Sequence, residues 1–123
     1  MTLTEIHNKT FELFTWKSDQ ENFGRFEYWR SFADHVERSE PFTGDCDNFA
    51  LTCAELLMRN GYEKDQISIA VCQTETGGWH LVTLYGNLVF DNRYNSIMEL
   101  ESLPHYTWDK YMNMSDIGVW KKF

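Results

Sequence analysis

The apolar residues of this 123-residue chain change their spacing near the middle of the sequence. From Cys46 to Leu57 they recur at intervals of three and four residues, which is the period of one helix face. The segments 67–72 and 79–85 are instead short apolar stretches rich in β-branched residues, which is typical of strands. Because helices come first and strands follow one another, the pattern predicts an α+β domain rather than alternating βαβ units.

The same rules predict the remaining elements. Gly86-Asn87 is a two-residue hairpin signal, so we expect a third strand over residues 88–92 directly after it. The tail, residues 106–123, is expected to supply a further strand that closes the sheet. The other predicted elements are a helix within 4–15, a loop over 16–24, an aromatic helix over 26–37 and a short helix near 96–100. With no repeat or linker in the sequence, residues 1–123 are expected to form a single domain.

Charge and composition exclude several classes of partner. The net charge of −8 comes from 11 basic and 19 acidic residues, which disfavours a nucleic acid held through its phosphates and an anionic membrane surface. No apolar run approaches the length of a membrane span. The first residues, Met1 to Ile6, have neither the basic nor the apolar region of a secretory signal. We therefore expect a cytoplasmic protein, or a leader that is absent from this sequence.

Cys46 stands at the predicted start of the central helix, within the stretch Thr43 to Ala50. Asp45 is placed to cap this helix and Gly61 to end it. In the first helical turn, unpaired N–H groups and the helix dipole favour a thiolate, the form of cysteine that acts as a nucleophile. Cysteines on an apolar helix face, however, more often serve only as packing. What separates the two interpretations is whether a histidine and an acid lie near Cys46.

The hairpin predicts which residues share a face with a histidine. If Gly86-Asn87 is the loop, Tyr85 pairs with Leu88, and the rest of the register follows. His80 and Asp91 then lie on one face of the paired strands as diagonal neighbours. Such neighbours are about 7–8 Å apart at the backbone, so the Asp91 carboxylate can orient the His80 imidazole. A slip of one residue would move Asp91 to the opposite face, so the register tests this arrangement.

Together, Cys46, His80 and Asp91 have the chemistry of a nucleophile, a general base and an orienting acid. Cys46 would attack a carbonyl carbon, His80 would take and return the proton, and Asp91 would hold the ring. The backbone N–H of Cys46 would contribute to an oxyanion hole. Cys53 and Cys72 are interpreted as packing residues. The histidines in polar or irregular stretches, which fit this role less well, are His7, His35 and His105.

Several segments resemble the family of bacterial transglutaminase-like cysteine peptidases. The nucleophile helix of that family begins with the motif Gly-Asp-Cys, an aromatic segment precedes it, and a histidine strand and a Leu-Asp-Asn strand follow. The matching segments here are Asn22 to Trp29, Gly44 to Ala50, Leu56-Leu57, Asn60-Gly61-Tyr62, Trp79-His80 and Val89 to Asn92. The chain departs from the family at Asn48, where an acid is common.

The resemblance implies a papain-like fold of the transglutaminase type, in which N-terminal helices and the nucleophile helix pack on a small antiparallel sheet. It also implies a Cys46–His80–Asp91 triad and proteolysis that depends on calcium, with Asp45 and Asp47 as ligands. Two carboxylates beside a thiol raise its pKa, because their charge disfavours the thiolate. A hard cation bound to their oxygens would offset this charge and lower the pKa again. The alternative is that Asp45 only caps the helix and Asp47 only complements its dipole.

These observations predict a cysteine-dependent acyl-transfer enzyme, most simply a peptidase that acts on protein or peptide substrates and needs no organic cofactor. A deamidase or a transglutaminase would use the same triad, because only the acyl acceptor differs. Two further alternatives are a non-catalytic peptide-binding module on the same fold and a zinc site built from the three residues. A compact chain without a leader is also compatible with a bacteriophage-encoded enzyme, and the sequence does not predict the oligomeric state.

Overall fold

The computed structural model describes residues 1–17 and 30–123, and its elements follow the predicted order of helices and then strands. Most of the predicted loop over 16–24 and the start of the aromatic helix at Phe26 lie outside the described residues. The segment Asn22 to Trp29, which resembles the family's aromatic segment, lies outside them as well. The described part of the aromatic helix is a single short helix, Ala33–Glu37.

The described elements are three α-helices, eight strands and two short 3₁₀ turns. The helices are α1 (Leu3–Leu13), α2 (Ala33–Glu37) and α3 (Cys46–Arg59), and the 3₁₀ turns are Lys64–Gln66 and Leu100–Ser102. The strands are β1 (Phe14–Trp16), β2 (Phe42–Gly44), β3 (Ile67–Gln73), β4 (Trp79–Tyr85), β5 (Leu88–Phe90), β6 (Met98–Glu99), β7 (Thr107–Asn113) and β8 (Trp120–Lys122). None of the helices in the described ranges is both long and apolar enough to cross a membrane.

Six of the strands form one antiparallel sheet in the order β6-β5-β4-β3-β7-β8. The predicted α+β class is therefore confirmed, and the tail closes the sheet with two strands rather than one. The predicted short helix near 96–100 is wrong, because this segment forms β6 and enters a 3₁₀ turn. A second sheet, which the sequence did not predict, pairs β1 and β2 in parallel and sets Trp16 opposite Gly44.

The predicted register of the β4–β5 hairpin is confirmed for three pairs. Tyr85 lies opposite Leu88, Leu84 opposite Val89 and Thr83 opposite Phe90. Strand β5 ends at Phe90, so the predicted pairing of Val82 with Asp91 does not extend the ladder. Asp91 is therefore the first residue after the strand, where its side chain stays next to β4 while its backbone begins a turn.

Helix α3 begins and ends as the sequence predicts, and it packs on the sheet through β4 and β3. Its N-cap is Asp45, and Gly61 follows its end with a φ of 84°, a conformation that glycine adopts without a steric penalty. The buried hydroxyl of Thr83, on β4, donates a hydrogen bond to the carbonyl of Ala50, one turn beyond Cys46. This bond holds the first turns of the helix against the strand that contains His80.

Candidate active site

His80 and Asp91 form a buried hydrogen-bonded pair between β4 and the end of β5. The distance from His80 Nε2 to Asp91 Oδ1 is 2.7 Å, and the two side chains are 7% and 0% exposed. An ionised carboxylate can only accept hydrogen bonds, so Nε2 must carry a proton and donate a hydrogen bond to Asp91. In the neutral imidazole, Nδ1 of His80 is then the nitrogen without a proton. The structure thus brings together the histidine and the acid that the hairpin register predicted.

Three groups donate hydrogen bonds to the Asp91 carboxylate. Oδ1 accepts from His80 Nε2 and, at 2.9 Å, from the backbone N–H of Arg93, while Oδ2 accepts from the Tyr106 hydroxyl at 2.5 Å. Burial on its own would raise the pKa of Asp91, but the bonds from His80, Tyr106 and Arg93 favour the anion. The net effect is a pKa below the ordinary value, so Asp91 is an anion at neutral pH.

Cys46 is the first residue of α3, and its thiol is half-buried. The sulfur lies 3.5 Å from Asp47 Oδ1, and the backbone N–H of Leu81, the residue after His80, is near enough to lower the pKa of the thiol. This contact places the thiol at the part of β4 that carries the imidazole. The nucleophile candidate therefore lies where the N-terminus of α3 meets β4, the strand that carries His80.

The surroundings of Cys46 do not favour a thiolate. Burial raises the pKa of the thiol, and the negative charges of Asp47 and Asp45 raise it further, while the Leu81 N–H opposes them. The expectation that the helix start lowers this pKa is thus wrong, because burial and two carboxylates outweigh the dipole. The expectation that the flanking carboxylates raise it is confirmed. In this environment Cys46 is a neutral thiol at neutral pH.

A tight arrangement of Gly44, Asp45 and Asn48 fixes the start of α3. The Asp45 carboxylate accepts from the N–H groups of Asp47 and Asn48, and Asn48 Oδ1 accepts from the Asp45 N–H at 3.0 Å. Asn48 Nδ2 donates to the carbonyl of Arg30 at 3.0 Å, a bond that an aspartate could not make. A Cβ on Gly44 would lie 2.5 Å from Asn48 Oδ1, so the glycine leaves room for this cap.

Sequence reasoning missed three residues that surround Asp91. Tyr106 donates to its carboxylate, Arg93 Nη1 donates to the Tyr106 oxygen at 3.1 Å, and Arg93 also binds both oxygens of Glu75. This ion pair lowers the pKa of Glu75 to about 2. The segment between 93 and 105 carries no periodic pattern, and Tyr106 reaches Asp91 only because β7 pairs with the distant β3. No local sequence signal could have assigned these roles.

The other two cysteines and His7 are buried. Cys53 is fully buried in the core, and burial followed by the charge of Asp91 raises the pKa of Cys72 to about 12. The interpretation of both cysteines as packing residues agrees with their burial. His7 lies in the helix predicted within 4–15, but its surroundings are not polar as expected. It is fully buried in α1, and its Nε2 lies 2.9 Å from the Tyr94 carbonyl.

The predicted calcium ligands, Asp45 and Asp47, lie side by side at the N-terminus of α3. Carboxylate oxygens are the ligands that calcium prefers. Here two carboxylates lie beside the Cys46 thiol and oppose its ionisation. Calcium takes six to eight oxygens as a rule, so backbone carbonyls or water would have to complete a shell. Within residues 1–17 and 30–123, no three side chains of the His, Cys, Asp and Glu types come together as a metal site. This finding also gives no support to a zinc site at Cys46.

Comparison with known proteins agrees with this fold. The fold is that of a transglutaminase-like protein, and the profile of a family described as bacterial transglutaminase-like cysteine proteinase BTLCP matches residues 1–123. The chain belongs to this family of cysteine peptidases. A search among curated protein sequences gives no match.

Solved structures of LapG from Legionella pneumophila share the fold. One has a TM-score of 0.67 at 21% identity over 89% of this chain and 64% of that one. An EGTA-treated form has a TM-score of 0.71 at 20% identity over 90% of this chain and 61% of that one. A calcium-bound form has a TM-score of 0.68 at 21% identity over 89% of this chain and 64% of that one. The chain thus spans less than two thirds of the LapG chains that it matches.

Proposed function

We propose that this protein is a peptidase that hydrolyses peptide bonds of protein or peptide substrates with a Cys46–His80–Asp91 triad. Membership of a cysteine proteinase family supports the reaction class. The observation that carries the assignment of residues is the buried His80–Asp91 hydrogen bond on β4, the strand whose Leu81 N–H lies near the Cys46 thiol and lowers its pKa. A packing cysteine would need neither a polar pair nor this contact.

The triad divides the reaction among the three side chains. Because the thiol is neutral, His80 removes its proton through Nδ1 as the sulfur attacks the substrate carbonyl. The imidazolium that forms is stabilised by the Asp91 anion, and it returns the proton to the leaving amine. Water then hydrolyses the acyl-enzyme with His80 again as the base. The backbone N–H of Cys46, in the first turn of α3, is the proposed donor to the oxyanion.

The proposal is tested by comparing new peptide N-termini produced in a bacterial protein extract by the wild type and by Cys46→Ser. Terminal-amine labelling and mass spectrometry should find termini that appear with the wild type and with Cys53→Ser but not with Cys46→Ser. A labelled primary amine in the same reaction separates the alternatives. Its incorporation without cleavage would indicate a transglutaminase, and conversion of glutamine to glutamate would indicate a deamidase. Equal cleavage by Cys46→Ser would overturn the proposal.

We also propose that calcium binds at Asp45 and Asp47 and offsets the negative charge that these carboxylates place beside the thiol. The donor chemistry and the existence of a calcium-bound LapG structure support this. Iodoacetamide labelling of Cys46 should be faster with calcium than with EGTA, and Asp47→Asn should remove the difference. An exposed control, Asp65→Asn, should keep the difference. Equal labelling rates with calcium and with EGTA in the wild type would contradict calcium binding at this place.

A further inference from the structure

Tyr106 touches both members of the His80–Asp91 pair. Its hydroxyl donates to Asp91 Oδ2 at 2.5 Å, and its ring stands edge-on to the His80 imidazole with a centroid distance of 5.8 Å. Its side chain is buried, so the ring covers the pair on one side. Since Oδ1 already accepts from His80 and the Arg93 N–H, the Tyr106 bond to Oδ2 fixes the remaining rotation of the carboxylate.

The direction of the Tyr106 bond is set by its neighbours. Arg93 Nη1 donates to the phenol oxygen at 3.1 Å, and Asp91 can only accept, so the phenol proton must point at Asp91. The Arg93 guanidinium is itself held by both oxygens of Glu75, on the turn between β3 and β4. A continuous chain of bonds therefore runs from the exposed Glu75 through Arg93 and Tyr106 to the buried Asp91.

We propose that Tyr106 is a positioning residue of this peptidase, which orients Asp91 so that its Oδ1 holds the His80 ring with Nδ1 free to act as the base. The inference rests on the proposed function for its consequence, although the contacts are independent of any substrate. Without the phenol hydroxyl, Oδ2 would be a buried anionic oxygen without its donor, and the carboxylate would turn or admit water. Either change would loosen the hydrogen bond to His80.

The test is the His80 ring N–H proton, observed by NMR in protein labelled with ¹⁵N-histidine and identified by its loss in His80→Gln. Tyr106→Phe keeps the ring and removes only the hydroxyl. We expect the resonance to move upfield and its exchange with water to accelerate about tenfold or more, as expected for the loss of one hydrogen bond to a charged group. Tyr94→Phe is the matched control, because its hydroxyl bonds to the exposed His105 and not to Asp91.

A second variant protects the test against a folding defect in Tyr106→Phe. Arg93→Ala removes the guanidinium that donates to the phenol oxygen and leaves the backbone N–H on Asp91 in place. It should shift the same resonance in the same direction by a smaller amount. An unchanged His80 resonance and exchange rate in folded Tyr106→Phe, or in Arg93→Ala if the first variant does not fold, would overturn the proposal.

The experiment also separates this inference from the proposed function. The NMR measurement can be repeated in a Cys46→Ser background, where no turnover is possible, and should give the same result. In the active protein, Tyr106→Phe should slow the iodoacetamide labelling of Cys46 by about tenfold, the equivalent of one lost hydrogen bond to a charged group. If the resonance shifts but cleavage never depends on Cys46, the proposed function fails while the role of Tyr106 in holding Asp91 stands.

Discussion

Negative charge is stabilised at Asp91 and disfavoured at Cys46. Asp91 is buried, yet three donors hold its carboxylate, and its pKa lies below the ordinary value despite burial. Cys46 is less buried, but burial and the carboxylates of Asp47 and Asp45 raise the pKa of its thiol. The site is thus prepared for an anion at Asp91 and for a neutral sulfur at Cys46.

This difference bears on how the Cys46 thiol would be activated. The helix start supplies the position of the Cys46 thiol but not a negative charge, because burial and the nearby carboxylates outweigh the dipole. In the proposed triad, the proton therefore leaves the sulfur with the help of His80, whose ring is held by Asp91. A cation bound at Asp45 and Asp47 would lower the pKa of the Cys46 thiol and so make the two ends of the site more alike.

The largest effect is expected from the nucleophile itself. Cys46→Ser should reduce peptide-bond cleavage by about 10⁶-fold, because removing the nucleophile of a triad leaves only binding and the oxyanion hole. Cys53→Ser removes a core thiol far along the same helix and should keep activity within about threefold, with a small loss of stability. Initial rates of cleavage of the substrates found by N-terminal labelling measure both. Comparable losses in the two variants would mean that the effect comes from the helix and not from the thiol.

The next largest effect should come from the charge at the other end. Asp91→Asn keeps the size of the side chain but removes the anion, and we expect a loss of kcat of about 10⁴-fold, as for other triads. Asp116→Asn, at an exposed position, is the control and should leave kcat unchanged. A thermal melt checks that Asp91→Asn is folded. Retention of most of the activity would show that Asp91 is a structural acid only.

The cap that positions Cys46 can be tested through stability. Gly44→Ala would place a Cβ against Asn48, and we expect the free energy of unfolding to fall by about 1–3 kcal/mol. Gly78→Ala is a matched control, since its nearest neighbour would be 3.8 Å away, an ordinary contact. Urea unfolding followed by tryptophan fluorescence measures both variants. Equal stability of the two variants would show that the Asn48 side chain can move aside without lowering the free energy of unfolding.

The smallest predicted effect concerns His7, which lies beneath the site. Burial lowers its pKa from 6.5, although the Tyr94 carbonyl and Asp91 oppose this, so the unfolded chain binds a proton that the folded chain does not. Its contribution to stability is therefore complete above about pH 6.5 and is lost as the pH falls, by up to about 1.4 kcal/mol per pH unit. Urea unfolding between pH 7.5 and 5 should show a shallower loss in His7→Gln than in the wild type.

The control for this prediction is His105→Gln, which changes an exposed histidine. It should leave the pH dependence of the free energy of unfolding close to that of the wild type. A wild-type slope in His7→Gln would mean that His7 does not resist protonation in the folded protein.

Local patterns predicted the parts of the site that depend on neighbouring residues. The helical period and its caps located Cys46, and the hairpin loop fixed the register that joins His80 to Asp91. Tyr106 could not be predicted, because its approach depends on the pairing of β7 with β3, more than thirty residues earlier. The charge state of Cys46 also needed the structure. The sequence shows a dipole and two acids, but only the packing of α3 on β4 shows how strongly the sulfur is buried.

The most direct test of the triad is the rate of iodoacetamide labelling at Cys46, read by peptide mass spectrometry in the wild type and in His80→Ala. We predict that Cys46 is labelled faster than Cys53 and Cys72 in the wild type. We further predict that His80→Ala slows the labelling of Cys46 by about 10²-fold or more, because the base that takes its proton is gone. Labelling of Cys46 at the same rate in both proteins would contradict the claim that His80 activates it.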